Sequence, residues 1–116
     1  MSGVELTIIV PVKDEEASIG PCLDRLIPVL EKIPDPASKS FEILFVDDGS
    51  DDTTLDVIRK ANAADPRIRA ISLSRNFGKE AALSAGLDAA RGNAVVPLDV
   101  DLQDPPEALP LSLIHI

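Results

Sequence analysis

The sequence predicts a single α/β domain, a parallel sheet covered on both faces by helices, in the order β-α-β-α-β-α-β. Three observations predict it. Four short runs, residues 6–12, 41–46, 68–73 and 94–98, are apolar nearly throughout rather than alternating, as strands buried on both faces are. Between them lie segments whose apolar residues recur every three or four positions, the period of an amphipathic helix. The polar clusters fall after the runs, at residues 13–16, 47–52, 74–79 and 99–104, and ligands of open parallel sheets sit beyond the carboxyl ends of the strands. With 116 residues the chain suffices for one such domain and not for two.

Residues 6–12 (LTIIVPV) are rich in β-branched side chains and form the first strand, closed by Pro11. Asp14, Glu15 and Glu16 suit the N-terminus of the helix that follows. Ile19, Leu23, Leu26, Leu30 and Ile33 mark one face of that helix, which ends before Pro34, and Pro21 fits only in its first turn. Residues 34–40 are a polar connection. The second strand, 41–46, is broken by Asp47-Asp48-Gly49-Ser50-Asp51-Asp52, where Gly49 permits a tight turn. Leu55, Ile58 and Ala61 mark a second helix, capped by Ser50, Asp51 or Asp52. After the third strand, Ala81, Ala82, Ala85, Ala89 and Ala90 line a third helix that stops at Gly92, with a face small enough to pack closely on a sheet. The fourth strand ends at Asp99.

Composition narrows the partners. The formal net charge of -9 repels phosphate backbones, which excludes nucleic acid, yet an acidic protein accepts a phosphorylated ligand when a metal lies between them. The lone Cys22 excludes an internal disulfide and reads as a small core side chain. No basic region followed by an apolar stretch opens the sequence, and no apolar run approaches the ~20 residues that cross a bilayer, so a cytoplasmic chain without a membrane segment is expected. The phosphate loop of P-loop NTPases, the G-x-G-x-x-G fingerprint, the G-x-S-x-G elbow and Cys/His metal clusters are all missing.

Asp99 and Asp101 point the same way in a strand-like segment, and two carboxylates on one face serve either to hold a cation that relieves their repulsion or simply as a solvated acidic turn. Mg²⁺ or Mn²⁺ suits all-oxygen surroundings and bridges to diphosphate oxygens, and Gln103 on the same face adds a carbonyl. Asp47 and Asp48 serve either to accept hydrogen bonds from a base or ribose or simply to shape a capping turn. Arg75 serves either to contact a nucleotide, and Lys79, at a helix start, to face a phosphate, or both simply pair with the acidic surface. His115 carries no role.

Taken together, these clusters resemble one family. Val10-Pro11-Val12-Lys13-Asp14-Glu15-Glu16 is similar to the opening P-x-x-N-E-E segment of family 2 glycosyltransferases, and Val46-Asp47-Asp48-Gly49-Ser50 with Asp52 and Thr54 to their second-strand motif. The stretches from Ser74 to Ala82 and from Asp99 to Glu107 resemble the bacterial branch related to dolichyl-phosphate mannose synthase and the polyprenyl-phosphate glycosyltransferases. Lys13-Asp14 departs from the aromatic residue and Asn common there. The resemblance implies a GT-A fold, a UDP- or GDP-sugar donor, Mg²⁺ or Mn²⁺, inversion at the anomeric carbon and a polyprenyl-phosphate acceptor at the cytoplasmic membrane face. It implies that Pro11, Val12 and Glu15 line the nucleoside pocket, that Asp47 and Asp48 contact base or ribose, and that Arg75 lies beside the nucleotide. Asp99, Asp101 and Gln103 then hold the metal, with Asp101 the catalytic residue. It also implies that residues 1–110 are the donor-binding part, that the acceptor half is absent, and that the apolar tail 111–116 is not native to the family. A chain truncated in this way is expected to bind donor weakly and not to turn over. Three other readings stay open: a response-regulator-like receiver, a nucleotidyltransferase and a non-catalytic nucleotide-binding fragment.

Overall fold

In the computed structural model, which describes residues 4–32, 40–75 and 77–102, the apolar runs become one parallel sheet. Its strands are β1 (Leu6–Val12), β2 (Phe41–Asp47), β3 (Ile68–Ser72) and β4 (Ala94–Pro97), and the helices between them are α1 (Ile19–Glu31), α2 (Thr54–Ala64) and α3 (Lys79–Ala89). The spatial order is β3-β2-β1-β4. Leu6 pairs with Phe41 and with Ala94, and Ile43 with Ile68. Right-handed crossovers explain the layers. The chain steps from β1 to β2 to β3 in one direction, then returns past β1 to β4, so the third crossover helix lies on the opposite face. The two cores reflect this. Leu6, Ile8, Val10, Ile43 and Phe45 pack with Leu26 and Leu30 of α1 and Ile58 of α2, whereas Ile9, Leu44 and Val46 pack with Ala82 of α3.

Several local expectations are corrected. Asp14, Glu15 and Glu16 precede α1 as a loop, and no acidic residue lies in its first turn, because the left-handed Asp14 (φ 53°) turns the chain before the helix begins. α1 also contains Pro28, on its exposed side, which the sequence reading overlooked and which removes one helical N–H donor. Cys22 does lie in the core. On α3 the buried residues are Ala82 and Gly86, and a Cβ on Gly86 would stand 2.7 Å from Ile9 Cγ2. After α3 the chain crosses the end of β1 so closely that a Cβ on Gly92 would stand 2.6 Å from the Thr7 backbone nitrogen. Ile33 and the connection after it lie outside the described residues. Among the described residues no helix is long and apolar enough to cross a membrane.

The apolar run of β2 hides one charge. Glu42 is 1% exposed, and its carboxylate accepts hydrogen bonds from Thr7 Oγ1 (2.6 Å), the Arg91 backbone N–H (2.8 Å), Arg91 Nε (3.1 Å) and an Arg69 guanidinium nitrogen (2.8 Å). The Gly92 N–H donates to Thr7 Oγ1 (2.9 Å). This clamp fixes the turn between α3 and β4, and so sets where β4 enters the sheet and where its far end emerges.

Candidate functional site

The sheet order changes direction beside β1, and a cleft of about 800 Å³ lies there at the carboxyl ends of β1 and β4. Pro11, Val12, Lys13 and Glu15 line it from the end of β1, Asp48 from β2, Gly78, Lys79 and Ala82 from the start of α3, and Asp99, Val100 and Asp101 from the end of β4. A second cleft, of about 620 Å³, lies on the other side of the β2 loop and includes Lys13, Asp47, Ser72 and Arg75. The predicted residues therefore divide. Pro11, Val12, Glu15, Asp48, Asp99 and Asp101 share the first cleft, and Asp47 and Arg75 share the second. Gln103, Asp104 and Pro105-Pro106 lie outside the described residues.

Asp99 and Asp101 reach the same cleft for a different reason than strand alternation. β4 stops at Pro97, and residues 99–102 form a turn closed by the Leu102 N–H donating to the Asp99 carbonyl (2.9 Å). Val100 and Leu102 are buried in the α1 and α2 core and anchor the turn from beneath, leaving Asp99 and Asp101 on its exposed side. Leu102 pays for the turn with a left-handed backbone (φ 52°), and Arg25 of α1 donates to its carbonyl (3.4 Å).

The loops after β1 and β2 are tied together. The Asp14 carboxylate accepts from the backbone N–H groups of Asp51 (2.7 Å) and Asp52 (3.4 Å), and its own N–H donates to Ser50 Oγ (2.8 Å). The Asp51 backbone bond holds the Asp14 carboxyl below its usual range. Asp is among the few residues that tolerate a left-handed backbone, so Asp14 meets both demands. The cap position of α2 is Thr53 rather than Ser50, Asp51 or Asp52, and Asp52 supports the helix start from one residue earlier: its carboxylate accepts from the Thr54 N–H (2.9 Å) and from the Thr54 hydroxyl. Thr54 Oγ1 in turn accepts from the Glu15 N–H (2.8 Å).

Asp47 and Asp48 are both nearly buried and both engaged. Asp47 accepts from the Ser50 hydroxyl, while the two Asp48 oxygens accept from the backbone N–H groups of Phe77 (2.8 Å) and Gly78 (3.0 Å). Asp48 thus braces the approach to α3, whose Gly78 (φ 98°) needs the freedom of glycine. Arg75 stacks its guanidinium on Phe77, 4.9 Å from the ring centroid.

The first cleft is lined by the carboxylates of Glu15, Asp48, Asp99 and Asp101 against the ammonium groups of Lys13 and Lys79. The excess is felt at Glu15, whose pKa is raised by burial first and then by repulsion from Asp101 and Asp99. Lys79 Nζ lies 2.6 Å from Asp99 Oδ1, and that bond raises the lysine pKa. Lys13 Nζ donates instead to the Gly49 carbonyl (3.4 Å) and to Asp14 (3.5 Å). The sequence reading gave Lys13 no role, although it borders both clefts. An all-oxygen donor set with surplus negative charge fits a hard dication. Among the described residues no three acidic, His or Cys side chains gather into a cage, so an ion here would draw part of its shell from elsewhere, as Mg²⁺ and Mn²⁺ commonly do.

Comparison with known proteins follows the same lines. Residues 7–113 match the model of the family described as Glycosyl transferase family 2. The chain is 46% identical over 106 residues to glycosyltransferase sll0501 of Synechocystis sp., covering 91% of this chain and 32% of that protein. It is 43% identical over 107 residues to a prophage bactoprenol glucosyl transferase homolog of Escherichia coli, covering 92% of this chain and 34% of that protein. Among solved structures it resembles mannosyltransferase PcManGT of Pyrobaculum calidifontis in complex with GDP-Man and Mn²⁺, with a TM-score of 0.73 and 27% identity over 94% of this chain and 31% of that one. The chain spans about a third of the length of the curated relatives it matches. The chain belongs to glycosyl transferase family 2, and its sheet and helices are those of the GT-A neighbours.

Proposed function

We propose that this family 2 chain binds the nucleotide-sugar donor for an inverting transfer from a UDP- or GDP-sugar to a polyprenyl phosphate of the undecaprenyl or dolichyl type. Residues 1–110 form the donor-binding domain in this reading, and the acceptor is held by sequence that the chain does not contain, at the cytoplasmic face of the membrane. A relative named a bactoprenol glucosyl transferase homolog supports the acceptor class, and a neighbour holding GDP-Man and Mn²⁺ supports the donor class and the ion.

The observation that carries the proposal is the meeting of Asp99 and Asp101 with Glu15 and Lys79 in one cleft between the ends of β1 and β4. That cleft is too negative to accept a diphosphate unaided, so anion binding there needs added positive charge. Pro11 and Val12 offer an apolar wall to the nucleoside. Glu15 lies beside them, Asp48 steadies the α3 approach, and Asp47 and Arg75 contact base or ribose from the second cleft. Asp99 and Asp101, with Gln103, hold Mg²⁺ or Mn²⁺. When bound, the ion offsets the charge that grows on the departing diphosphate. A phosphate acceptor is already anionic near neutral pH, so the site needs no strong general base for it.

The test is transfer of radiolabelled sugar by the full-length protein in vesicles containing undecaprenyl phosphate, with UDP- and GDP-sugars in turn. Label should enter the lipid fraction with one donor and vanish with Asp101→Ala. Label that stays out of lipid while the donor is consumed would overturn the acceptor assignment.

A further inference from the structure

Lys79 is the cleft's second cation, at a helix start where its sequence position suits a phosphate. It is the first residue of α3, held by the Gly78 turn that Asp48 braces. Its ammonium lies 2.6 Å from Asp99 Oδ1, on an oxygen that a divalent ion would need. Both side chains are well exposed, 62% for Lys79 and 48% for Asp99, so nothing packed around them holds the pair closed. Exposed ion pairs of this kind are weak and exchange readily. The four-carbon stem of lysine lets the ammonium swing without moving the helix. Lys13 does not duplicate this placement, since its ammonium is directed to Gly49 and Asp14.

We propose that Lys79 is a resident counter-cation: it sits on Asp99 while the cleft is empty, competes there with the divalent ion, and moves onto the donor's diphosphate when the donor arrives. This rests on the donor-binding reading above and adds a regulation to it. With Lys79 on Asp99, the ion meets a carboxylate already neutralised and a positive charge in its path, so it binds poorly alone. A diphosphate draws Lys79 away and supplies oxygens to the ion's shell. Ion and donor therefore bind cooperatively, and by reciprocity each raises the affinity of the other by the same factor.

The test is a Mn²⁺ titration of the full 116-residue chain, following free Mn²⁺ by its paramagnetic resonance signal, with no nucleotide, with UDP and with GDP. Lys79→Gln should bind Mn²⁺ alone roughly three- to ten-fold more tightly, the scale of removing one screened charge beside a dication. Its further gain from nucleotide should be smaller than in the parent chain. Lys79→Arg, which keeps the charge, should match the parent chain with Mn²⁺ alone. Circular dichroism confirms that each variant is folded. Equal or weaker Mn²⁺ binding by Lys79→Gln, with binding still lost in Asp101→Ala, overturns the counter-cation proposal and leaves the metal site standing. Absence of Mn²⁺ binding in every variant, or binding indifferent to Asp101→Ala, overturns both.

Discussion

Replacing Glu42 by Gln tests the clamp that places β4. Burial pushes this carboxyl's pKa up, but hydrogen bonds from Thr7, the Arg91 backbone, Arg69 and the Arg91 side chain outweigh it and hold the group at about 2, against its usual 4.5. At ~1.4 kcal/mol per pK unit, the charged form contributes about 3 kcal/mol to folding. Because the folded value is depressed, that contribution is complete above about pH 4.5 and is lost as pH falls through about 2. Glutamine has the same shape but one carbonyl oxygen, and its amide hydrogens would face donors. Urea unfolding at pH 7 should therefore find Glu42→Gln less stable than the parent by about 3 kcal/mol. The same comparison at pH 3 should show the gap narrowed by about 2 kcal/mol, since the parent has by then lost most of the contribution. Working with the difference removes Asp14, Asp52 and Asp65, whose carboxyls are also held low and which titrate equally in both proteins. A gap under about 0.5 kcal/mol at pH 7, or one that does not change with pH, would refute the clamp.

Three further outcomes follow from the packing. Gly92→Ala drives a methyl group to 2.6 Å from the Thr7 backbone nitrogen, which side-chain motion does not relieve, and should lower stability by about 3 kcal/mol in urea; a change within experimental error would mean that β1 and the α3 turn are further apart than described. Asp48→Ala strips the Phe77 and Gly78 amides of their acceptor, at a cost of about 1–3 kcal/mol, and those two amides should exchange with deuterium markedly faster, whereas unchanged protection would remove Asp48 as the brace. Cys22 is buried, and burial pushes its thiol up to about 11, so Ellman's reagent at pH 8 should leave it untouched in the folded chain and label it in denaturant; prompt labelling of the folded chain would contradict its place in the core.

Much of this fold was legible because its two central strands, β1 and β2, are buried on both faces, whereas the edge strands β3 and β4 are only partly covered. Residues 6–12 and 41–46 needed no partner to be recognised, since only a covered parallel sheet makes such runs economical. The unread parts depend on contacts distant in sequence. Glu42 looked like one polar letter in an apolar strand, and only its meeting with Arg69 and Arg91, across 27 and 49 residues, shows why a charge is tolerated there. Asp14 to Glu16 were assigned to a helix start from their charge, but the chain needs them to tie two loops. Pro28 was missed because a helix accommodates a proline on its exposed side when the face opposite carries the packing. Asp99 and Asp101 were expected on a common side from strand alternation. They share a cleft through a turn, held down by Val100 and Leu102, whose apolar character was the available signal. Asp47 and Asp48 were read as a unit, yet neighbouring residues at a strand end point apart, and the two fall in different clefts. Lys79 was expected to face a phosphate, and its pairing with Asp99 spans 20 residues and has no local signature.

The central claim is that Asp99 and Asp101 act on a nucleotide only through a divalent ion. Calorimetry with UDP and GDP, each with and without Mn²⁺, on the full-length protein and on its Asp101→Ala variant tests it most directly. Heat of binding should appear for one nucleotide, require Mn²⁺, and disappear in the variant. Binding of equal strength in the absence of metal, or undiminished by Asp101→Ala, would contradict the account.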